Sequence, residues 1–476
     1  MNVKTRTKSD QQSMQLQKKW RIMKMKKLAA IGLALIMTAG LCIGCGSKEA
    51  PKASDPAPET TAAGSTAKPA GDDADAKTNA TDASGQGTSI TLLNTKSELQ
   101  TQFEEMAKKY KEQTGVTVEV NFTSDVVGTH LAGKYAAGDP YTIMLVDHPD
   151  VYDFQEYLAD LSGEDWIKDG GDTYGITIDG KVYSFPFTVE AVGLIYNADA
   201  IEKITGETFK PADYAALDKF EGLLKKLADG GMAAPVAINK DDWSLANHFF
   251  GQLYDQQGNT ADGSIAFVDS LKSGETKLSE NARFNSLMDS FDLLKKYNIN
   301  GSDPLSADYD LNNSYLAEGQ VAFWFNGSWA TDIYEHTENI GIMPLPQKDT
   351  TDDANTKLVS GASKEFVIDA KYASPEQQQA AKDFLNWLVY DEAGQTFVVE
   401  ECSIIPAFSN IQKKVSAPLS ASAQEYINAG QSMYWYQEIP GDHGTQAGAS
   451  LQKYLGDNIR RDELASEIET YWQAQK

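Results

Sequence analysis

Between Gly319 and Ala330 the chain reads GQVAFWFNGSWA, a stretch that leaves the backbone little choice. Val321–Phe325 is a run of five apolar residues, four of them β-branched or aromatic, which suits a buried strand. The run stops at Asn326-Gly327-Ser328, a turn in which glycine can adopt φ > 0. Ser328 can in addition cap a helix that begins at Trp329. The pattern predicts a strand leaving a core, a tight turn, and an indole at its rim. In an open α/β sheet such a strand end is where ligands bind. Trp329 suits equally a plain packing role against a neighbouring helix, since large aromatic side chains are mostly buried structure.

A chain of 476 residues exceeds what one hydrophobic core usually holds, so two domains are expected. Its 21 Tyr, 18 Phe and 8 Trp suffice for sizeable cores. The formal net charge is −26, yet the first 45 residues hold nine Lys or Arg against one acid, leaving −34 for the remainder. Such a body is repelled by nucleic acid and by anionic membrane surfaces, and is compatible with neutral or cationic ligands. Of the three cysteines, Cys42 and Cys45 close an N-terminal apolar segment, which leaves Cys402 alone. That excludes a disulfide framework and a thiolate zinc site. His130, His148, His248, His336 and His443 show no metal-ligand spacing, so no metal and no cofactor is expected and each is read as satisfied or exposed.

Residues 18–27, KKWRIMKMKK, are basic, and Leu28–Leu41 is apolar. This is the n-region and h-region of a secretory signal, too short to span a bilayer comfortably. Met23 or Met25 is expected to be the true start. An uncleaved anchor would need a longer apolar run. From Gly46 to about Thr88 the composition turns to Ala, Thr, Ser, Pro, Asp and Gly without an aromatic residue, which cannot bury a core. It is read as a flexible tether with a span on the order of 35–40 Å.

Order begins at Ser89. Ile90–Leu93 reads as a strand, Thr95–Glu98 as a possible capping box, and Leu99, Phe103, Met106 and Tyr110 recur at helical spacing up to Gly115. Val116–Phe122 and Tyr141–Val146 read as further strands. Strand–helix–strand–strand at this spacing predicts an α/β layer with a mainly parallel sheet. Pro235–Asn239 reads as a short strand, Ser244–Tyr254 as a helix, and residues 281–297 as a helix with one apolar face. Leu358–Ile368 is a strand, followed by a helix from Ser374-Pro375. Residues 433–443 form an aromatic cluster without helical periodicity, suited to a cleft-lining loop. No GxxxxGK[ST], GxGxxG, HExxH or GxSxG motif and no fixed-period repeat occurs.

Several of these stretches resemble landmarks of the extracellular solute-binding proteins of sugar ABC importers, the maltose-binding-protein group. GQVAFWFNGSWA is similar to that family's GxxAMxxNGxWA signature, and Tyr183–Asn197 to its xPxxxExxxxYYN strand. The TGVTVEV and GDPYTIMLVDHPD segments are similar to its opening, and Cys42-Ile-Gly-Cys45-Gly-Ser resembles a bacterial lipobox. The lipobox departs from the usual pattern in carrying Cys42 where Leu is common. The resemblance covers residues 89–476. It implies a two-lobed, type II periplasmic-binding-protein-like α/β fold, each lobe a mainly parallel sheet flanked by helices, with a hinge between. Residues 1–45 would be the signal peptide, 46–88 the tether, 89–190 with 358–410 the N-terminal lobe, and 191–357 with 411–476 the C-terminal lobe. It implies cleavage at a lipidated Cys45 and a monomer tethered to the extracellular face of a bacterial, Gram-positive membrane, with an ABC permease as partner.

By motif position, Glu190 would bind sugar hydroxyls and Trp329 would stack on a sugar ring. Asn326, Asp242, Trp243 and Asp147 follow as binding residues, then Lys96 and Ser97 near the first strand's end. Trp435 and His443 come from their loop alone. A structural salt bridge is the alternative for Glu190, because a carboxylate in an apolar run needs a partner. The reading is carbohydrate capture, an oligosaccharide by expectation, without catalysis. Its rivals are a polyamine, peptide or oxyanion on the same scaffold, or a surface glycoside hydrolase using a carboxylate pair.

Overall fold

The computed structural model describes residues 87–330, 339–348 and 353–475. The leader with Cys45 and the tether up to residue 86 lie outside these residues, as does the stretch 331–338 in which a helix after Trp329 is expected.

Eleven strands are present among the described residues: β1 Ser89–Asn94, β2 Thr117–Phe122, β3 Ile143–Asp147, β4 Thr177–Ile178, β5 Lys181–Val182, β6 Phe185–Asn197, β7 Val236–Ala237, β8 Phe323–Gly327, β9 Ile340–Met343, β10 Leu358–Ile368 and β11 Ser432–Tyr434. Strands β4 and β5 form a small hairpin, and the other nine make one sheet. Its main path is β2-β1-β3-β10-β6-β8-β7, with β11 on β10 and β9 on β6. Parallel pairing holds where helices return the chain, between β1 and β2, β1 and β3, and β7 and β8. The two long strands in the middle, β6 and β10, run antiparallel to each other, and β10 is antiparallel to β3. Residues 358–368 thereby rejoin the strands of the first third of the chain.

The 13-residue β6 spans on the order of 43 Å and changes partners along its length. Its first half pairs with β10, and from Val192 onward it pairs with β8 and then with β9. Because side chains alternate across a strand, β6 feeds two cores. Phe185, Phe187, Val189 and Ala191 enter one, with Phe103 and Tyr110 of helix Gln100–Thr114 and Phe384 and Leu388 of helix Pro375–Tyr390. Val192 and Leu194 enter the other, with Phe249, Phe284, Phe291, Phe323 and Trp472. Each fully buried Phe contributes about 1.5–3 kcal/mol. Glu190 falls on the face of Val192 and Leu194, and this alternation decides where its carboxylate goes.

Two local expectations shift. The strand expected at 321–325 runs Phe323–Gly327, so Asn326 and Gly327 are strand rather than turn. The capping box at Thr95–Glu98 does not form. Thr95 Oγ1 donates instead to the Leu145 carbonyl at 3.0 Å, and only a short 3-10 turn, Ser97–Leu99, precedes the long helix.

Candidate functional site

The floor of the site forms after β1. Asn94 folds the chain back on itself, its Nδ2 donating to the Lys96 carbonyl at 2.8 Å and its Oδ1 accepting from the Lys96 amide at 2.9 Å. That turn buries the Lys96 side chain and places Nζ 2.9 Å from Glu190 Oε1 and 2.9 Å from Glu98 Oε1. The second Glu190 oxygen accepts from Ser363 Oγ on β10. Burial alone would lower the ammonium's pKa. The carboxylates of Glu190 and Glu98 outweigh it, and the net shift is upward. Glu98 is held below the usual carboxylate range, because Lys96 outweighs its own desolvation. Glu190 is thus both the residue singled out in the sequence and a partner in a buried ion pair. Ser97 is exposed and takes no part. Asp147 ends β3, closes a capping box on helix His148–Phe154 and accepts from Lys364 Nζ at 2.6 Å.

The wall opposite is aromatic, and Asn239 organises it. Its Oδ1 accepts from Trp324 Nε1 at 2.9 Å and from Asn312 Nδ2 at 3.0 Å, tying β8 to helix Tyr309–Ala317. Asn326, at 1% exposure, donates from Nδ2 to the Tyr309 hydroxyl at 3.1 Å, and its buried Oδ1 has no partner. Gly327 does not have positive φ. It is there because a Cβ would lie 2.0 Å from Trp329 Cζ3: the indole is folded back over the glycine. Ser328 Oγ accepts from the Ala191 amide at 3.0 Å, which ties the turn to β6 beside Glu190.

Trp243, Trp329 and Trp435 come together around a residue the sequence reading left among the unremarkable histidines. The His248 ring centroid lies 5.2 Å from that of Trp243, 4.9 Å from Trp329 and 5.7 Å from Trp435. The reason is local geometry. Trp243–Phe250 is a π-helix, whose i→i+5 bonding stacks residues five apart. In the α-helix expected there, Trp243 and His248 would point in different directions. Burial, together with the Lys96 and Lys364 charges and against that of Asp147, pushes the His248 pKa down to about 3. The imidazole is neutral at physiological pH.

Two residues singled out in the sequence do other work. Asp242 Oδ1 accepts from the Trp243 amide at 2.7 Å, and its Cα and Cβ press against Gly448 of helix His443–Leu455, where a Cβ would lie 2.5 Å away. His443 is fully buried in the core. Its Nδ1–H donates to Asn247 Oδ1 at 2.9 Å, its Nε2 accepts from the Tyr254 hydroxyl at 2.9 Å, and that hydroxyl accepts from Trp472 Nε1 at 3.0 Å. The network holds the π-helix from behind.

A small pocket, partly open to solvent, joins floor and wall: Lys96, Glu98 and Glu190 line it with Ser328, Trp329 and Ser420. The free thiol of Cys402, raised in pKa by burial, also borders it. Among the described residues no cluster of three or more His, Cys, Asp or Glu could hold a metal ion, and no helix is long and apolar enough to cross a membrane.

Two central antiparallel strands bridging two cores, with a polar floor facing an aromatic wall, define a two-lobed α/β binding fold. The family model for bacterial extracellular solute-binding proteins matches residues 105–426, and the chain belongs to that family. It is similar to the maltodextrin-binding protein MdxE of Bacillus subtilis (strain 168), 22% identical over 341 residues, 70% of this chain and 76% of that one. It is similar also to a maltooligosaccharide ABC transporter solute-binding lipoprotein of Streptococcus pneumoniae, 23% identical over 303 residues, 59% of this chain and 64% of that one. The fold matches that of the solute-binding protein RafE in complex with raffinose, with a TM-score of 0.67 at 22% identity over 82% of this chain and 100% of that one. A Bacillus licheniformis sugar transporter in complex with stachyose matches with a TM-score of 0.63 at 18% identity over 82% of this chain and 100% of that one.

Proposed function

We propose that this protein captures a carbohydrate, an oligosaccharide in preference to a single sugar, and delivers it to the permease of an ABC importer without chemical turnover. The observation that carries this is the convergence of Trp243, Trp329 and Trp435 on one neutral imidazole, above a polar floor. Indole faces match the C–H faces of sugar rings, while Asn326, Glu190 and His248 offer hydrogen-bonding atoms for hydroxyls. The names of the relatives, which bind maltodextrin and maltooligosaccharide, support the same class.

The charges speak against the rivals. Glu190 and Glu98 are engaged by Lys96, and Asp147 by Lys364, so a polyamine would have to compete with a resident ammonium at each of these carboxylates. Glu98 and Glu190 hold one ammonium between them, each at 2.9 Å, so these two carboxylates serve to fix Lys96 and do not form the separated acid and base pair that glycoside hydrolysis uses. In this reading lipidated Cys45 and the tether 46–88 hold the monomer on the outer face of the cell membrane. Residues 89–190 with 358–410, and 191–357 with 411–476, are lobes that close about β6 and β10 around the ligand.

A thermal-unfolding screen of the purified protein against raffinose, stachyose, maltotriose and spermidine tests this. Ligand at about 100 times its Kd adds roughly 2.7 kcal/mol, a readable shift. Trp329→Ala should weaken binding by roughly 1–3 kcal/mol with the fold intact. A shift with spermidine alone, or sugar cleavage during incubation, would sink the reading.

A further inference from the structure

We propose that His248 is the specificity-determining hydrogen-bonding residue of this site and reads one hydroxyl of a neutral sugar ring held against Trp329; the inference rests on the carbohydrate reading above. Three indoles surround the imidazole, a setting that a phenylalanine ring would fill without loss. Instead the position carries a polar ring whose Nδ1 is buried and has no partner in the protein. In either neutral tautomer Nδ1 is a donor or an acceptor, so its burial without a partner is a cost that a bound group would remove. A second such atom, Asn326 Oδ1, belongs to the same aromatic wall through Tyr309, which packs on Trp243.

The charged groups facing His248 are Lys96, Lys364 and Asp147, each already engaged with an opposite charge. Burial is the leading cause that disfavours an imidazolium at this position. A neutral imidazole suits a hydroxyl, which can donate or accept as the tautomer requires.

Isothermal titration of the wild type, His248→Phe and His248→Gln with raffinose, stachyose and maltotriose tests the assignment. For whichever sugar the wild type binds, His248→Phe should lose about tenfold in affinity, the loss of one neutral hydrogen bond. His248→Gln, which keeps a donor and an acceptor, should lose much less, and both should unfold near the wild-type temperature. Unchanged affinity in His248→Phe, or equal losses in both variants, would overturn the proposal while leaving the carbohydrate reading standing. In the wild type itself the ¹⁵N resonance of His248 Nδ1 should move when sugar binds; an unmoved resonance overturns the proposal whether or not the variants fold. A wild type that binds none of the three sugars would overturn both.

Discussion

Acid should weaken this protein through His443, and the size of the effect follows from its surroundings. The side chain is fully buried at the start of helix His443–Leu455, between Asn247 and Tyr254. Burial pushes its pKa down to about 3 from 6.5. A charge there would also sit at the positive end of the helix dipole. Because the folded pKa is depressed, the unfolded chain binds the extra proton throughout the window between the two values. The stability that His443 contributes is therefore complete above about pH 6.5 and is lost as pH falls toward 3. Between pH 7 and pH 5 the linkage relation gives a loss of about 2 kcal/mol for this one group. His443→Gln keeps an N–H for Asn247 and an oxygen for Tyr254 but cannot titrate. Urea unfolding of both proteins at pH 7 and pH 5 isolates the group, since all other titrations, His248 included, are common to the pair. The wild type should lose about 2 kcal/mol more than the variant. Equal losses, or an NMR titration placing the His443 pKa near 6, would refute the reasoning.

Three further outcomes are expected. Gly327→Ala places a methyl 2.0 Å from Trp329 Cζ3, so the indole must leave its position. Sugar affinity should then fall about as far as in Trp329→Ala, as read by titration calorimetry, and an unaffected affinity would show that the indole is not part of the site. Lys96→Met strips the partner from Glu190 and Glu98 and should cost about 3–5 kcal/mol of stability in a denaturant titration, whereas Glu190→Gln, which leaves Lys96 paired with Glu98, should cost less. Asp255 is buried and its pKa is raised well above the ordinary value, so the folded state favours its neutral form and the stability that this one group contributes declines as pH rises through the window above 3.8. Asp255→Asn keeps an oxygen for the Tyr436 amide and should raise the unfolding midpoint more at pH 8 than at pH 4.

What could be read in the chain followed from local rules. Apolar and β-branched content located β1 and β10, and Leu358–Ile368 is the strand the pattern predicts, residue for residue, whereas β6 was placed by its likeness to a family strand. Ser374-Pro375 announced a helix, and Ser374 with Gln377 closes a capping box there. Trp329 and Glu190 were singled out by motif position and Lys96 by its place near the first strand's end, and all three line one cavity. Gly327 was picked out for the wrong property: it provides room for an indole, not a left-handed turn.

His248 was not legible, because its neighbourhood depends on a π-helix. One extra residue per turn turns Trp243 and His248 to the same side, and no hydrophobic period marks that change. His443 looked like a loop residue facing a cleft. Only the packing of the C-terminal helix Arg461–Ala474, which brings Trp472 to Tyr254, makes it a core residue. The sequence by itself determined most of the elements, the alternating faces of β6 and the aromatic residues available to the wall, since these depend on neighbours within a few residues. Tertiary structure alone decided which polar atoms found partners. Glu190 meets Lys96 across 94 positions of chain, and Asn326 Oδ1 and His248 Nδ1 are left without one. Hydrogen bonds and ion pairs act over a few ångströms in space, and separation along the chain does not report that distance.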